Sequence, residues 1–210
     1  MESRRHTPLT AKRKAALGLG KTSTDSRGHC AGRSISLAPL FDSGMEILVT
    51  EDEIKEGFRH AMRRLATTIA LVTAGRGEQW TGMAATAVMS VCAEPPTLLT
   101  AVNRSASIHP VLMADEHFCV NLLADRHREL VGVFSGKKKG LERFDSGAWV
   151  AGHDGVPVLD DALASLVCRI VQKIDVGTHT LFIGEVEHVT NHDEISPLVW
   201  VDGSFANAAR

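Results

Sequence analysis

The chain contains no tyrosine, and aromatic residues fill only 5% of its 210 positions. A tight aromatic clamp on a flat ligand is therefore not expected. The four cysteines (Cys30, Cys92, Cys119, Cys168) form no CxxC pair and no metal-ligand spacing. That excludes a disulfide scaffold and suits reduced thiols in a cytoplasmic protein. The ten histidines are scattered, with only His188 and His192 close together, so no metal site is expected. No apolar run approaches the roughly 20 residues of a membrane span. The longest uncharged candidate, Trp80 to Ala93, is short and contains Thr and Ser. With 23 Lys+Arg against 25 Asp+Glu, the chain lacks the basic excess of a general nucleic-acid binder. Gly at 18 and Pro at 7 exclude collagen-like and low-complexity architectures.

What is present is 44% hydrophobic residues, enough for one sizeable core. The charge is unevenly placed. Residues 1–44 carry eight basic residues (Arg4, Arg5, Lys12, Arg13, Lys14, Lys21, Arg27, Arg33) and three acidic ones (Glu2, Asp25, Asp42). This stretch has no sustained helical or strand period and reads as a disordered or non-native basic leader. Residues 45–210 read as one acidic domain.

Thr50-Glu51-Asp52-Glu53 has the form of a capping box. Ile54, Phe58, Ala61, Met62 and Leu65 follow at helical spacing, which predicts a helix of about four turns. Ile69 to Thr73 reads as a strand, and Trp80 to Val91 and Thr97 to Val102 are β-prone on either side of Pro95-Pro96. Ser107 is expected to cap a short helix starting near Ile108, with Pro110 in its first turn. His117 to Leu123 reads as a strand, Asp125 to Phe134 as a helix, and Ser135 to about Gly155 as a loop. Leu166 to Ile174 and Thr180 to Val186 alternate as strands, and Leu198 to Val201 closes the series. Many strands without regular βα alternation predict a mainly β fold, a barrel with flanking helices.

Four segments carry candidate chemistry. Gly82-Met83-Ala84-Ala85-Thr86-Ala87 is a run of small or flexible residues against which a flat ligand, or another strand, can lie closely. Ser90-Val91-Cys92 adds hydroxyl and thiol groups beside the Pro95-Pro96 corner. Asn103-Arg104-Ser105-Ala106-Ser107 joins a strand to a helix with one cation and several short donors, a composition suited to a phosphate. Gly177-Thr178-His179 places an imidazole at the mouth of a strand ending in Gly184-Glu185-Val186. Lys137-Lys138-Lys139 reads most simply as a solvated loop, with a 2′-phosphate or an acidic partner as the alternative.

In order and approximate spacing, these segments resemble the flavin reductase-like family. Glu142-Arg143-Phe144 and Phe58-Arg59…Ala61-Met62 add to the resemblance, which runs from about residue 54 to about residue 205. It implies an FMN-binding split β-barrel, usually a homodimer with flavin near the subunit interface. Met83, Ala84, Ala85 and Thr86 would flank the flavin ring. Ser90, Val91, Cys92, Asn103, Arg104, Ser105 and Ser107 would hold the ribityl chain and phosphate, and His179 would lie near the nicotinamide. The implied activity is NAD(P)H-dependent reduction of FMN, or FAD, for a partner monooxygenase of the 4-hydroxyphenylacetate or pyrimidine-ring-opening kind. NADH and NADPH both remain open as co-substrate. The competing readings are a stand-alone flavoprotein reducing ferric chelates or quinones, and a non-catalytic flavin carrier. Ala84 stands where many members have Thr, Cys92 replaces a frequent Ser or Thr, and Thr178 stands where many have Asp. With so few aromatics, the flavin is expected to be held loosely.

Overall fold

The computed structural model describes residues 49–208; the basic leader expected over residues 1–44 lies outside them. Helix α1 spans Glu51–Met62, directly after Thr50. It buries none of its residues, and Ile54, Phe58 and Met62 on its apolar stripe are exposed. The strands are β1 Thr67–Thr68, β2 Ala70–Ala74, β3 Thr81–Ala85, β4 Val88–Ala93, β5 Pro96–Asn103, β6 His117–Leu122, β7 Trp149–Ala151, β8 Pro157–Leu159, β9 Ala164–Val176, β10 His179–Asn191, β11 Leu198–Val201 and β12 Ser204–Asn207. Two short helices, α2 His109–Ala114 and α3 Arg128–Gly132, sit between them.

Seven strands form one sheet in the order β3-β2-β6-β9-β10-β5-β4, with every pairing antiparallel. The edge strands β3 and β4 are six positions apart in that order. Yet only Thr86 and Ala87 separate Ala85, the last residue of β3, from Val88, the first of β4. Three Cα–Cα steps reach at most about 11 Å. The two edges must therefore converge, and the sheet wraps into a split barrel.

Side-chain alternation divides the core in two. Ala70, Val72 and Ala74 of β2 point into the barrel with Val102, Phe118, Val120, Cys168 and Phe182. Ile69 and Leu71 point outward, onto Leu130, Phe134, Leu159 and Leu198. Both faces of β2 are thus covered, which is why Ile69 to Val72 is continuously apolar. Ile108 and Leu112, one helical turn apart, bury the face of α2 in the barrel interior. At Gly184 the strand passes so close to Phe118 that a Cβ would sit 2.6 Å from its ring.

Two local expectations need correction. The N-cap of α2 is Ile108, not Ser107, and the helix has no side-chain cap; the Ser107 hydroxyl is taken up by Arg143 instead. The segment expected as a loop from Ser135 to Gly155 holds a helical turn at Gly140–Asp145 and the strand β7, which pairs with β8. Among the described residues, no helix is long and apolar enough to cross a membrane.

Candidate functional site

The small-residue segment forms the barrel seam. Thr86 and Ala87 form the crossing from β3 to β4, and the Ala87 carbonyl accepts from the Ala101 N–H of β5 at 3.1 Å. Ala84, Ala85 and Thr86 line a cleft of about 200 Å³ with Ile69, Val131, Ser135 and Trp200. The small side chains leave the floor of this cleft largely to backbone. Met83 packs against the barrel interior, as strand alternation requires.

Asn103 ends β5 directly opposite His179, the first residue of β10. The Asn103 Oδ1 accepts from the Ser105 N–H at 2.9 Å and the Ser105 hydroxyl at 2.8 Å. This folds the Asn103-Arg104-Ser105 turn back on itself. The Arg104 N–H donates to the Thr178 carbonyl at 3.0 Å, and its guanidinium donates to the Gly177 carbonyl. The third and fourth segments are therefore one structural unit. His179 is half-buried, with its Nδ1 2.9 Å from the Thr178 hydroxyl.

Arg143 joins this unit to the seam. The residue is only 8% exposed. Nη1 donates to the Gly82 carbonyl at 3.0 Å, Nε donates to the Lys138 carbonyl at 3.1 Å, and both Nη atoms lie 3.3 Å from Ser107 Oγ. No carboxylate among the described residues forms an ion pair with it. A buried cation satisfied only by neutral acceptors favours an anion close by. Arg143, Ser107 and Lys139 line a second cleft of about 530 Å³ with Trp80, Thr81 and Leu141. These residues fit the phosphate of a flavin nucleotide.

Ser90, Val91 and Cys92 lie elsewhere along the same edge. Ser90 pairs with Leu98, five residues before Asn103, or roughly 17 Å along β5. All three are exposed, and the Cys92 thiol donates to the Pro95 carbonyl at 3.1 Å. The structure thus ties Gly82 of β3 to Ser107 through Arg143 and sets Asn103 opposite His179, with Ser90 to Cys92 farther along the β4–β5 edge. Glu142-Arg143-Phe144 belongs to the family resemblance, but no local pattern marks Arg143 as part of the site; nor does any mark Trp200, which lines the seam cleft from β11.

A split barrel whose seam joins a small-residue strand to a buried cation defines a flavin-binding oxidoreductase. The chain belongs to the flavin reductase like domain family, whose family model matches residues 62–209. It is 44% identical over 152 residues to the FMN reductase (NADH) RutF of Stutzerimonas stutzeri, covering 72% of this chain and 87% of that one. The NADH:FAD oxidoreductase SgcE6 of Streptomyces globisporus, solved in complex with NAD and FAD fragments, superposes with a TM-score of 0.70 at 28% identity, over 77% of this chain and 96% of the other. BorF, the flavin reductase component of a bacterial two-component tryptophan halogenase, gives 0.67 at 28% identity, over 73% and 97%.

Proposed function

We propose that the protein transfers hydride from NADH to FMN and hands the reduced flavin to a partner monooxygenase. The observation that carries this reading is the buried Arg143 guanidinium, which links Gly82 of the small-residue strand β3 to Ser107, four residues after the Asn103 that pairs with His179. Bound flavin supplies the redox chemistry, accepting the hydride, so the protein needs neither a nucleophile nor a metal for that step. Ser107 and Arg143 hold the phosphate, and the backbone of Ala84 to Thr86 borders the ring. His179 orients the nicotinamide so that donor and acceptor meet face to face. The FMN reductase (NADH) relative and the two-component BorF support the nucleotide, the flavin and the onward transfer.

A homodimer completes the reading. The apolar stripe of α1 (Ile54, Phe58, Met62) and the outer residues of β4 (Met89, Val91) are exposed, and a second copy would cover them. A cytoplasmic setting agrees with Cys92, Cys119 and Cys168 being free thiols; burial raises the pKa of Cys168 to about 12, with Glu187 adding to the rise, and raises that of Cys119 as well. Neither is poised to react.

The test is anaerobic NADH oxidation with FMN in excess over protein, followed by ultrafiltration. Many equivalents of reduced FMN in the filtrate support the reading. Turnover only with a ferric chelate or quinone, with flavin retained on the protein, overturns it in favour of the stand-alone flavoprotein. No NADH oxidation under any condition favours the flavin carrier. FAD and NADPH are compared in the same assay.

A further inference from the structure

Away from the seam, three chain-distant residues converge. His117 begins β6, Glu187 lies on β10, and His153 sits in the turn between β7 and β8. One ligand atom from each lies within 4.8 Å of the others. The convergence has a structural cause at each residue. Strands β9 and β10 slip register between Val186 and His188, so Glu187 is the extra residue of a bulge. A bulge re-aims its side chain, here toward β6 across β9. His153 is carried on a turn whose Asp154 adopts φ 59 and pairs with Arg76.

His117 is the buried member, at 9% exposure. Its Nε2 meets Glu187 Oε2 at 3.1 Å. Its Nδ1 lies 3.0 Å from Asp154 Oδ2 but outside hydrogen-bond geometry, and is a buried nitrogen without a hydrogen-bond partner. Arg169 Nε donates to Glu187 Oε1 at 2.8 Å, which fixes the carboxylate and leaves Oε2 facing the imidazoles. Three carboxylates (Asp154, Glu185, Glu187) meet two guanidiniums (Arg76, Arg169) around the cluster, so the local balance favours a cation.

We propose that His117, His153 and Glu187 bind a divalent transition-metal ion, of which zinc best suits two imidazoles and a carboxylate. Ligand atoms of a tetrahedral zinc lie about 3.3 Å apart, close to the Nε2–Oε2 separation. Water supplies the fourth position. Arg169 acts as an outer partner that orients Glu187. The ion clamps the β7–β8 turn onto the barrel, and its role is structural, separate from hydride transfer.

The test uses the full chain, stripped with a chelator and dialysed, then titrated with zinc by calorimetry and with cobalt(II) by visible absorption. One zinc per chain is expected, with a rise in thermal midpoint and a tetrahedral cobalt spectrum. His153→Ala and Glu187→Gln, both at exposed positions and so tolerated by the fold, should each weaken binding more than about tenfold. His60→Ala, on α1, should leave it unchanged. Absence of stoichiometric binding overturns the proposal. So does binding that survives Glu187→Gln but is lost in His188→Ala, since His188 stacks on His153 at 4.1 Å and the pair would then be an exposed imidazole site.

Discussion

Both terminal nitrogens of the buried Arg143 lie 3.3 Å from Ser107 Oγ, which joins the middle of the chain to the turn that follows β5. The same guanidinium reaches the Gly82 carbonyl of β3, so one side chain holds the seam together. Arg143→Ala leaves three acceptors without their donor and should cost about 3 kcal/mol. Urea unfolding checks this. Arg143→Lys keeps the charge but loses the planar fork, so it should recover only part of the stability. FMN affinity should fall in both variants, and riboflavin affinity, with no phosphate to hold, should change less.

His179 offers a different signature. Its hydrogen bond runs to its neighbour Thr178, so its removal breaks no side-chain hydrogen bond between strands. His179→Ala should leave the thermal midpoint unmoved and lower kcat/KM for NADH about tenfold, equivalent to about 1.4 kcal/mol of transition-state stabilisation. FMN affinity should hold. An unchanged kcat/KM removes His179 from the site.

Much of the strand pattern is legible in the residues. The continuous apolar run of Ile69 to Val72 marks a strand covered on both faces, and Thr180, Phe182 and Gly184 alternate as they do in β10. The seam is not legible, because local periodicity says nothing about which strands become sheet edges. That Ala85 and Val88 lie on opposite edges follows only from the strand order. Strands β7 and β8, three residues each, are too short for a two-residue period to stand out from a Gly-, Lys- and Asp-rich segment. His117, His153 and Glu187 are at least 34 residues apart in sequence, far beyond any ligand-spacing motif. Arg143 was visible as a residue type; its burial against Gly82 and Ser107 was not.

Gly184 gives a packing prediction. An added Cβ would lie 2.6 Å from Phe118 Cε1 and 2.8 Å from Cys168 Cβ, in the middle of the barrel. Gly184→Ala should cost about 2 kcal/mol and lower the thermal midpoint by roughly 6 °C. Adding Phe118→Leu should return part of the loss, because the two sites are in contact.

Asp161 gives a pH dependence. Burial raises its carboxyl, but the hydrogen bond from His127 and the charge of Arg126 outweigh that and hold it below the ordinary Asp value. His127 Nδ1 accepts from the Ala124 N–H at 3.1 Å, which directs Nε2–H to Asp161 Oδ2 at 3.1 Å. A carboxyl lowered on folding stabilises the native state above its unfolded value and loses that contribution as pH falls through the folded one. The gap in urea midpoint between the wild type and Asp161→Asn should therefore narrow as pH falls from about 5 through the ordinary Asp range and below it.

The central claim, that this barrel seam reduces flavin with NADH, is tested most directly by anaerobic stopped-flow mixing of the protein and FMN with NADH, followed by loss of the oxidised-flavin absorbance. Rapid bleaching that saturates with NADH is expected, slower in His179→Ala and requiring a higher FMN concentration in Arg143→Lys. Flavin that stays oxidised, or bleaching at the same rate in all three proteins, would contradict it.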